Sequence, residues 1–290
     1  MTPWTDRSGG FSPLKLVTLV GLCVPATWIG VALWMDALGA RPVMAVIHET
    51  GEWAVRFLLL SLAVTPLRRI GKWPRLVLVR RMVGLAALAY GLAHLMLYAV
   101  ELNLDIARVA SEILRRIYLT IGFAALLGLA ALGATSTDRA VRRLGRNWGR
   151  LHSIAYVIAV LALLHFFMQS KIDVTQATIM AGLFLLAMGY RLANWRGYAT
   201  SAPVLAAVAA IAAVATVVVE VTWFATATGV DPMRILAANL DFSYSIRPVW
   251  WVLVAGLCLS LIPLVRRRDA VGSDRRRAPR RGVALSEEPG

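Results

Sequence analysis

Four histidines, His48, His94, His152 and His165, are the side chains of this 290-residue sequence best suited by type and spacing to hold a metal. His94 lies twelve residues beyond Met82, where an apolar run begins, and His165 lies thirteen beyond His152, where another begins. At 1.5 Å per residue the first is ~18 Å along its helix and the second ~20 Å. Two neutral imidazoles at equal depth on neighbouring helices can clamp one b-type haem from its two axial sides. Such ligation leaves no open position for oxygen, which suits electron transfer. The competing reading of each is a packed imidazole bonded to a hydroxyl or carbonyl. With only four histidines present, two of them at matched depth, the ligand reading is the stronger.

The other polar groups are less decided. His152 sits ~20 Å from His165 along the same helix, a separation suited to a second haem or another carrier. The matching positions on the earlier helix are Arg80 and Arg81, so a second bis-histidine site lacks its partner. His152 is therefore either a haem ligand, part of a flavin or quinone site, or an interfacial histidine. His48, Glu52 and Arg56 are spaced i, i+4, i+8 and form one polar stripe. Arg56 or His48 could meet haem propionates or a quinone; equally, the stripe could be a salt-bridged packing device. Gly91, Ala87 and Ala162 near the ligand pair either admit a macrocycle or serve helix packing. Glu220 is a further intramembrane acid with no mechanism attached.

The elements that must position these groups follow from composition. The chain is 59% hydrophobic and 16% charged, well outside the range of soluble domains. It reads as an all-α, polytopic transmembrane helical bundle. Eight apolar segments cover the roughly 20 residues a membrane crossing needs: 14–35, 46–65, 82–100, 117–134, 152–170, 176–193, 203–225 and 249–265. The first is too long for a cleaved signal and is read as a retained helix. Of the 31 lysines and arginines, 23 fall in the termini and alternate loops on one side and seven on the other. That bias predicts a multi-pass bacterial inner-membrane protein with both termini cytoplasmic and His94 and His165 in the periplasmic half. The predicted organisation is a cytoplasmic N-terminal segment (1–13), a six-helix core (14–200), an additional two-helix hairpin (201–268) and a basic disordered cytoplasmic tail (269–290). An Ala- and Val-rich run over 203–219 marks the change at about 200. Cys23 and Cys258 are isolated, which excludes iron–sulfur clusters, zinc ribbons and covalent c-type haem. No glycine-rich dinucleotide fingerprint or P-loop occurs, so electrons must come from another protein or a diffusible carrier. The arginine-rich tail is read as a membrane-surface anchor on lipid and not as a nucleic-acid arm.

Four stretches carry a family resemblance: GARPVMAVIHETGEWAVRFLLLSLAVTPLRR (39–69), RRMVGLAALAYGLAHLMLYAVEL (80–102), YLTIGFAALLGLAALGATST (118–137) and RLGRNWGRLHSIAYVIAVLALLHFFMQSK (143–171). With Trp148, Leu151, His152 and His165 in a W-x-x-L-H…H pattern and His94 upstream, the chain resembles the MsrQ (YedZ) family. These are haem-binding membrane subunits of the periplasmic protein-methionine-sulfoxide reductase system, within the ferric-reductase-like transmembrane group. The resemblance implies a six-helix core, b-type haem (one or two) held by His94, His152 and His165, and FMN as a further cofactor. It also places the family's second-span histidine on His48. The partners implied are a periplasmic MsrP-like molybdopterin subunit as acceptor, and the quinone pool or a cytosolic flavin reductase as donor. The chain is then an electron-transfer subunit of an oxidoreductase complex, not the subunit that reduces methionine sulfoxide. Beyond about residue 200 the resemblance says nothing.

Two other readings compete. One is a reductase for ferric iron or another periplasmic acceptor, built on the same haem core. The other is a transporter or structural subunit whose histidines relay protons or merely pack; it predicts a colourless protein. Between the third and fourth spans, residues 102–118 have apolar and charged faces and are the candidate docking surface, with Arg108, Arg115 and Arg116 exposed to a partner.

Overall fold

The computed structural model describes residues 4, 5, 10–171, 173–198 and 200–277, with side chains as far as Val265. Among the described residues the regular secondary structure is all helical, apart from one isolated bridge between Thr5 and Phe11. Proline opens several helices, where its missing N–H costs nothing: α1 (Pro13–Trp34), α2 (Pro42–Ile70) and, later, α12 (Pro248–Arg277). A 3-10 turn (Pro74–Val79) leads into α3 (Arg80–Glu101). The short α4 (Ile106–Arg115) starts at Asp105, whose carboxylate accepts from the Arg108 N–H at 2.9 Å, an N-cap. α5 (Ile117–Ala134) follows, with the bounds expected for the fourth span. Next come α6 (Asp138–Leu144) and α7 (Arg146–Ser153), joined at Gly145 with φ 51°, then α8 (Ala155–Ser170) and α9 (Thr175–Trp195). α10 (Ala202–Trp223) runs into a π-helical turn (Phe224–Thr228), and α11 (Pro232–Ala238) precedes α12.

Among the described residues, seven helical stretches are long and apolar enough to cross a membrane, and the chain is a multi-pass membrane protein. The eighth expected span is α2, which has 29 residues but is not among the seven. Its polar stripe His48, Glu49, Glu52 and Arg56 lowers its mean hydropathy, although it packs along α3 and lies at the centre of the bundle. The expected fifth span is also different in detail. A one-residue turn at Ile154 divides it into α7, with His152, and α8, with His165, within the single apolar stretch Arg146–Ser170.

The main core gathers side chains of α2, α3, α5, α8 and α9, with Leu62, Val83, Ala87, Ala159 and Ala177 almost wholly enclosed. A second core joins α9 to the α10–α12 hairpin around Leu205, Ala209 and Val252. There the backbones come very close: a Cβ on Gly256 would stand 3.1 Å from the Ala209 Cα, the small-residue contact expected between membrane helices. α12 continues to Arg277, past the hairpin boundary expected at 268. The rest of the expected tail, 278–290, lies outside the described residues.

Close to two prolines inside helices, a side chain from a neighbouring helix bonds the backbone. Pro66 in α2 has no N–H to give to the Leu62 carbonyl one turn back. Arg191 of α9 donates to that carbonyl at 2.7 Å and to the Tyr156 hydroxyl of α8 at 2.8 Å. Near Pro25 in α1, the Tyr90 hydroxyl of α3 sits inside the helical ladder, donating to the Leu22 carbonyl and accepting from the Ala26 N–H, both at 2.9 Å. These contacts fix α1 and α9 against the core helices that carry the histidines.

Candidate functional site

His94 is on α3 and His165 on α8, and the fold brings them together: their ring centres are 6.3 Å apart, with the planes 80° to one another. Each ring is held by the neighbouring helix in the same way. His94 Nδ1 is 2.7 Å from the Ile47 carbonyl oxygen of α2, and His165 Nδ1 is 2.7 Å from the Tyr118 carbonyl oxygen of α5. A carbonyl only accepts, so Nδ1 carries the proton on both rings and each Nε2 keeps its lone pair. This is the second-shell arrangement that metal-bound histidines use. The Tyr118 ring also lies over His165, at 6.3 Å and 22°.

The separation suits two ligands on one metal. Nε2 bonds of about 2.0–2.1 Å, with each Nε2 about 1.1 Å from its ring centre, put the centres a little over 6 Å apart. Among the described residues no group of three His, Cys, Asp or Glu side chains gathers at one point. Two imidazoles alone hold a bare ion poorly. They suit a metal that arrives with its own equatorial ligands, as haem iron does.

The remaining histidines are elsewhere. His152 stacks on Trp148 with ring centres 4.0 Å apart, and its Nε2 is 3.2 Å from the Thr135 hydroxyl. Trp148 in turn donates from its indole to the Thr135 carbonyl at 2.9 Å. Arg81, at the position matching His152, is paired with Asp138 at 2.8 Å. His48 is exposed, with its Nε2 3.5 Å from Gln169 Nε2. Arg56 pairs with Glu52 at 2.5 Å, lies 4.7 Å over the Trp53 ring and is 3.4 Å from Gln176 Oε1 of α9. Helical geometry puts this stripe roughly 120° round α2 from the face formed by Ile47 and Gly51. The structure thus joins His94 and His165, sets His48 beside Gln169 one turn beyond His165, and holds His152 against Trp148 and Thr135 and Arg56 against Glu52.

The small residues also separate by role. Gly91 faces Leu126 of α5 and Ala54 of α2, so it serves helix packing. The glycines against the rings are Gly51 and Gly122, which the sequence reading passed over: a Cβ on Gly51 would be 2.9 Å from His94 Nδ1, and one on Gly122 2.7 Å from His165 Nδ1. Each lies four residues after the carbonyl that holds the ring, a relation set by packing that only the folded chain reveals.

Above the pair, α4 turns Val109 and Ile113 inward, against Ala99 and Phe123, and leaves Ile106 and Leu114 exposed. Arg108, Ser111, Glu112 and Arg115 share the other side of the helix, giving it the form of an interfacial amphipathic helix. Its junction with α5 is fastened by the Thr120 hydroxyl, which donates to the Ile113 carbonyl at 2.5 Å.

Comparison with known proteins shows the family of the chain. Residues 50–163 match the model of the ferric reductase like transmembrane component family. That stretch contains His94 and most of the helices that frame the histidine pair. The heme-binding subunit MsrQ of protein-methionine-sulfoxide reductase from Xanthomonas euvesicatoria pv. vesicatoria is 43% identical over 188 residues, covering 61% of this chain and 85% of that protein. Its counterpart from Xanthomonas oryzae pv. oryzae is 44% identical over 187 residues (61% and 84%), and that from Polaromonas naphthalenivorans 39% over 175 (59% and 80%). The chain belongs to the MsrQ family of heme-binding membrane subunits. No solved structure matches it.

Proposed function

We propose that this protein is the haem-carrying membrane subunit of a methionine-sulfoxide reductase system, passing electrons across the inner membrane to a periplasmic MsrP-type molybdopterin subunit that repairs oxidised proteins. The observation that carries the reading is the His94–His165 pair, with 6.3 Å between ring centres and both Nδ1 protons committed to carbonyls. The residues fit b-type haem. His94 and His165 would hold the haem iron through their Nε2 atoms, and the group would supply a one-electron centre when bound. The chain itself fixes both tautomers, orients both rings, and surrounds the site with the apolar side chains of the main core. Residues 14–200 form the haem unit and 201–268 an added hairpin.

Electrons enter from the cytoplasmic side, where both termini lie, from quinol or a flavin reductase. His152 stands at that end and is the position for a second carrier, haem or flavin. On the periplasmic side the polar face of α4 offers Arg108 and Arg115 to the partner. The relatives' names support the methionine-sulfoxide system over a ferric reductase.

The test uses the purified protein reduced under argon and mixed with the MsrP-type subunit and methionine sulfoxide. The haem should reoxidise only when both are present. Reoxidation by ferric chelates but not by the MsrP-type subunit would favour the ferric reductase instead.

A further inference from the structure

The two halves of the histidine site share one design at a constant offset. Ile47, Gly51 and His94 correspond to Tyr118, Gly122 and His165, each member of the second set lying 71 residues after its counterpart. In both, a carbonyl on one helix takes the Nδ1 proton at 2.7 Å, and a glycine one turn further along that helix lies against the same ring. Added Cβ atoms would stand 2.9 Å from Nδ1 and 3.0 Å from Cε1 of His94, and 2.7 and 2.8 Å from the same atoms of His165. Real Cβ atoms essentially never approach so closely. The missing side chain therefore decides where the imidazole lies and lets it reach the carbonyl.

We infer that Gly51 and Gly122 are positioning residues, a matched pair that sets the orientation and the basicity of the two axial imidazoles. The inference rests on the haem reading above. Carbonyl and glycine lie on the same turn of one helix, so a ring displaced from the glycine is also displaced from its acceptor. A weakened Nδ1–H···O bond makes the imidazole a poorer electron donor. The poorer donor stabilises ferric iron less, so the midpoint potential rises. A rotated ring alters the angle between the two ligand planes, which the g-values of a low-spin ferric haem report.

Gly128 supplies the control. It lies on α5 with Gly122, and an added Cβ there would meet Ile158 Cγ1 at 2.9 Å, as crowded but against an aliphatic side chain. The experiment is a redox titration and an EPR spectrum of full-length wild type, Gly51→Ala, Gly122→Ala and Gly128→Ala, purified with their haem. Gly51→Ala and Gly122→Ala should each raise the midpoint potential and move the largest g-value, while Gly128→Ala stays with wild type. Wild-type potential and g-values in both ring-facing variants overturn the inference, as does an equal shift in Gly128→Ala. Should a ring-facing variant lose its haem, pulsed EPR of the wild type in H2O and D2O decides the matter. Exchangeable Nδ1 protons on both ligands are expected, and a ligand without one overturns the inference. A wild-type protein without haem overturns the haem reading itself, and that shows before any variant is compared.

Discussion

His94 and His165 meet across the bundle with their ring centres 6.3 Å apart, and neither ring leans on its own helix for support. His94 of α3 is held by Ile47 of α2, and His165 of α8 by Tyr118 of α5. Four helices therefore have to assemble before the pair exists. The ligand set is a property of the packed core.

It follows that His94→Ala and His165→Ala should each lower the haem bound per chain by about tenfold or more, since even second-shell losses cost 10–100-fold in metal sites. Haem extraction from the purified variants checks this. Retention of a six-coordinate low-spin spectrum in either one refutes the pairing.

His152 should behave differently. Its ring is occupied by Trp148 and Thr135 at the far end of the bundle. His152→Ala should keep the low-spin signal of the His94–His165 haem, with at least one haem per chain. Loss of that signal would mean that His152 is one of its ligands.

The hydrogen bond from Arg191 to the Leu62 carbonyl, which Pro66 leaves without a helical donor, predicts an energetic coupling between residues 66 and 191. Removing the guanidinium strands the buried Leu62 carbonyl, at about 1–3 kcal/mol. Pro66→Ala returns an N–H to that carbonyl from within α2. Arg191→Leu should then lower the melting temperature clearly in the native background and much less in the Pro66→Ala background. Equal losses in both would show that Arg191 contributes only through Tyr156.

Glu220 is almost fully buried in α10 and bonded to Arg247 and to Asn239, whose amide donates at 2.9 Å. Breaking one side of such a pair costs about 3–5 kcal/mol. Glu220→Ala should therefore lower the melting temperature in detergent while leaving the haem spectrum unchanged. A changed spectrum with unchanged stability would tie the hairpin to the redox site.

Arg108 and Arg115 are exposed on α4. If α4 meets the partner, reversing both charges should slow reduction of the MsrP-type subunit by roughly tenfold at low salt, with a smaller effect at high salt. Haem content should stay constant. Unchanged transfer at low salt removes α4 from the docking surface.

Much of this was legible in the sequence because periodicity and depth are local properties. The span expected at 117–134 is the helix Ile117–Ala134, and the depth argument alone paired His94 with His165. What was hidden depends on neighbours. The stripe His48, Glu52 and Arg56 is regular at i, i+4, i+8, but what it faces is set by packing: Arg56 meets Gln176 of α9 and His48 meets Gln169 of α8. The one-residue turn at Ile154, within the stretch that carries both His152 and His165, has no proline or glycine to announce it. Glu220 finds Arg247 across a 27-residue gap that no pattern connects. Gly51 and Gly122 look like ordinary membrane-helix glycines until a ring is seen lying on each.

The most direct test of the central claim is the oxidised and dithionite-reduced absorption spectrum of the detergent-purified wild-type protein, with haem counted per chain by pyridine haemochrome. A low-spin b-type spectrum with at least one haem per chain is the predicted result. A folded, colourless protein from haem-replete cells would contradict it, and would leave His94 and His165 as packed histidines in a transporter or structural subunit.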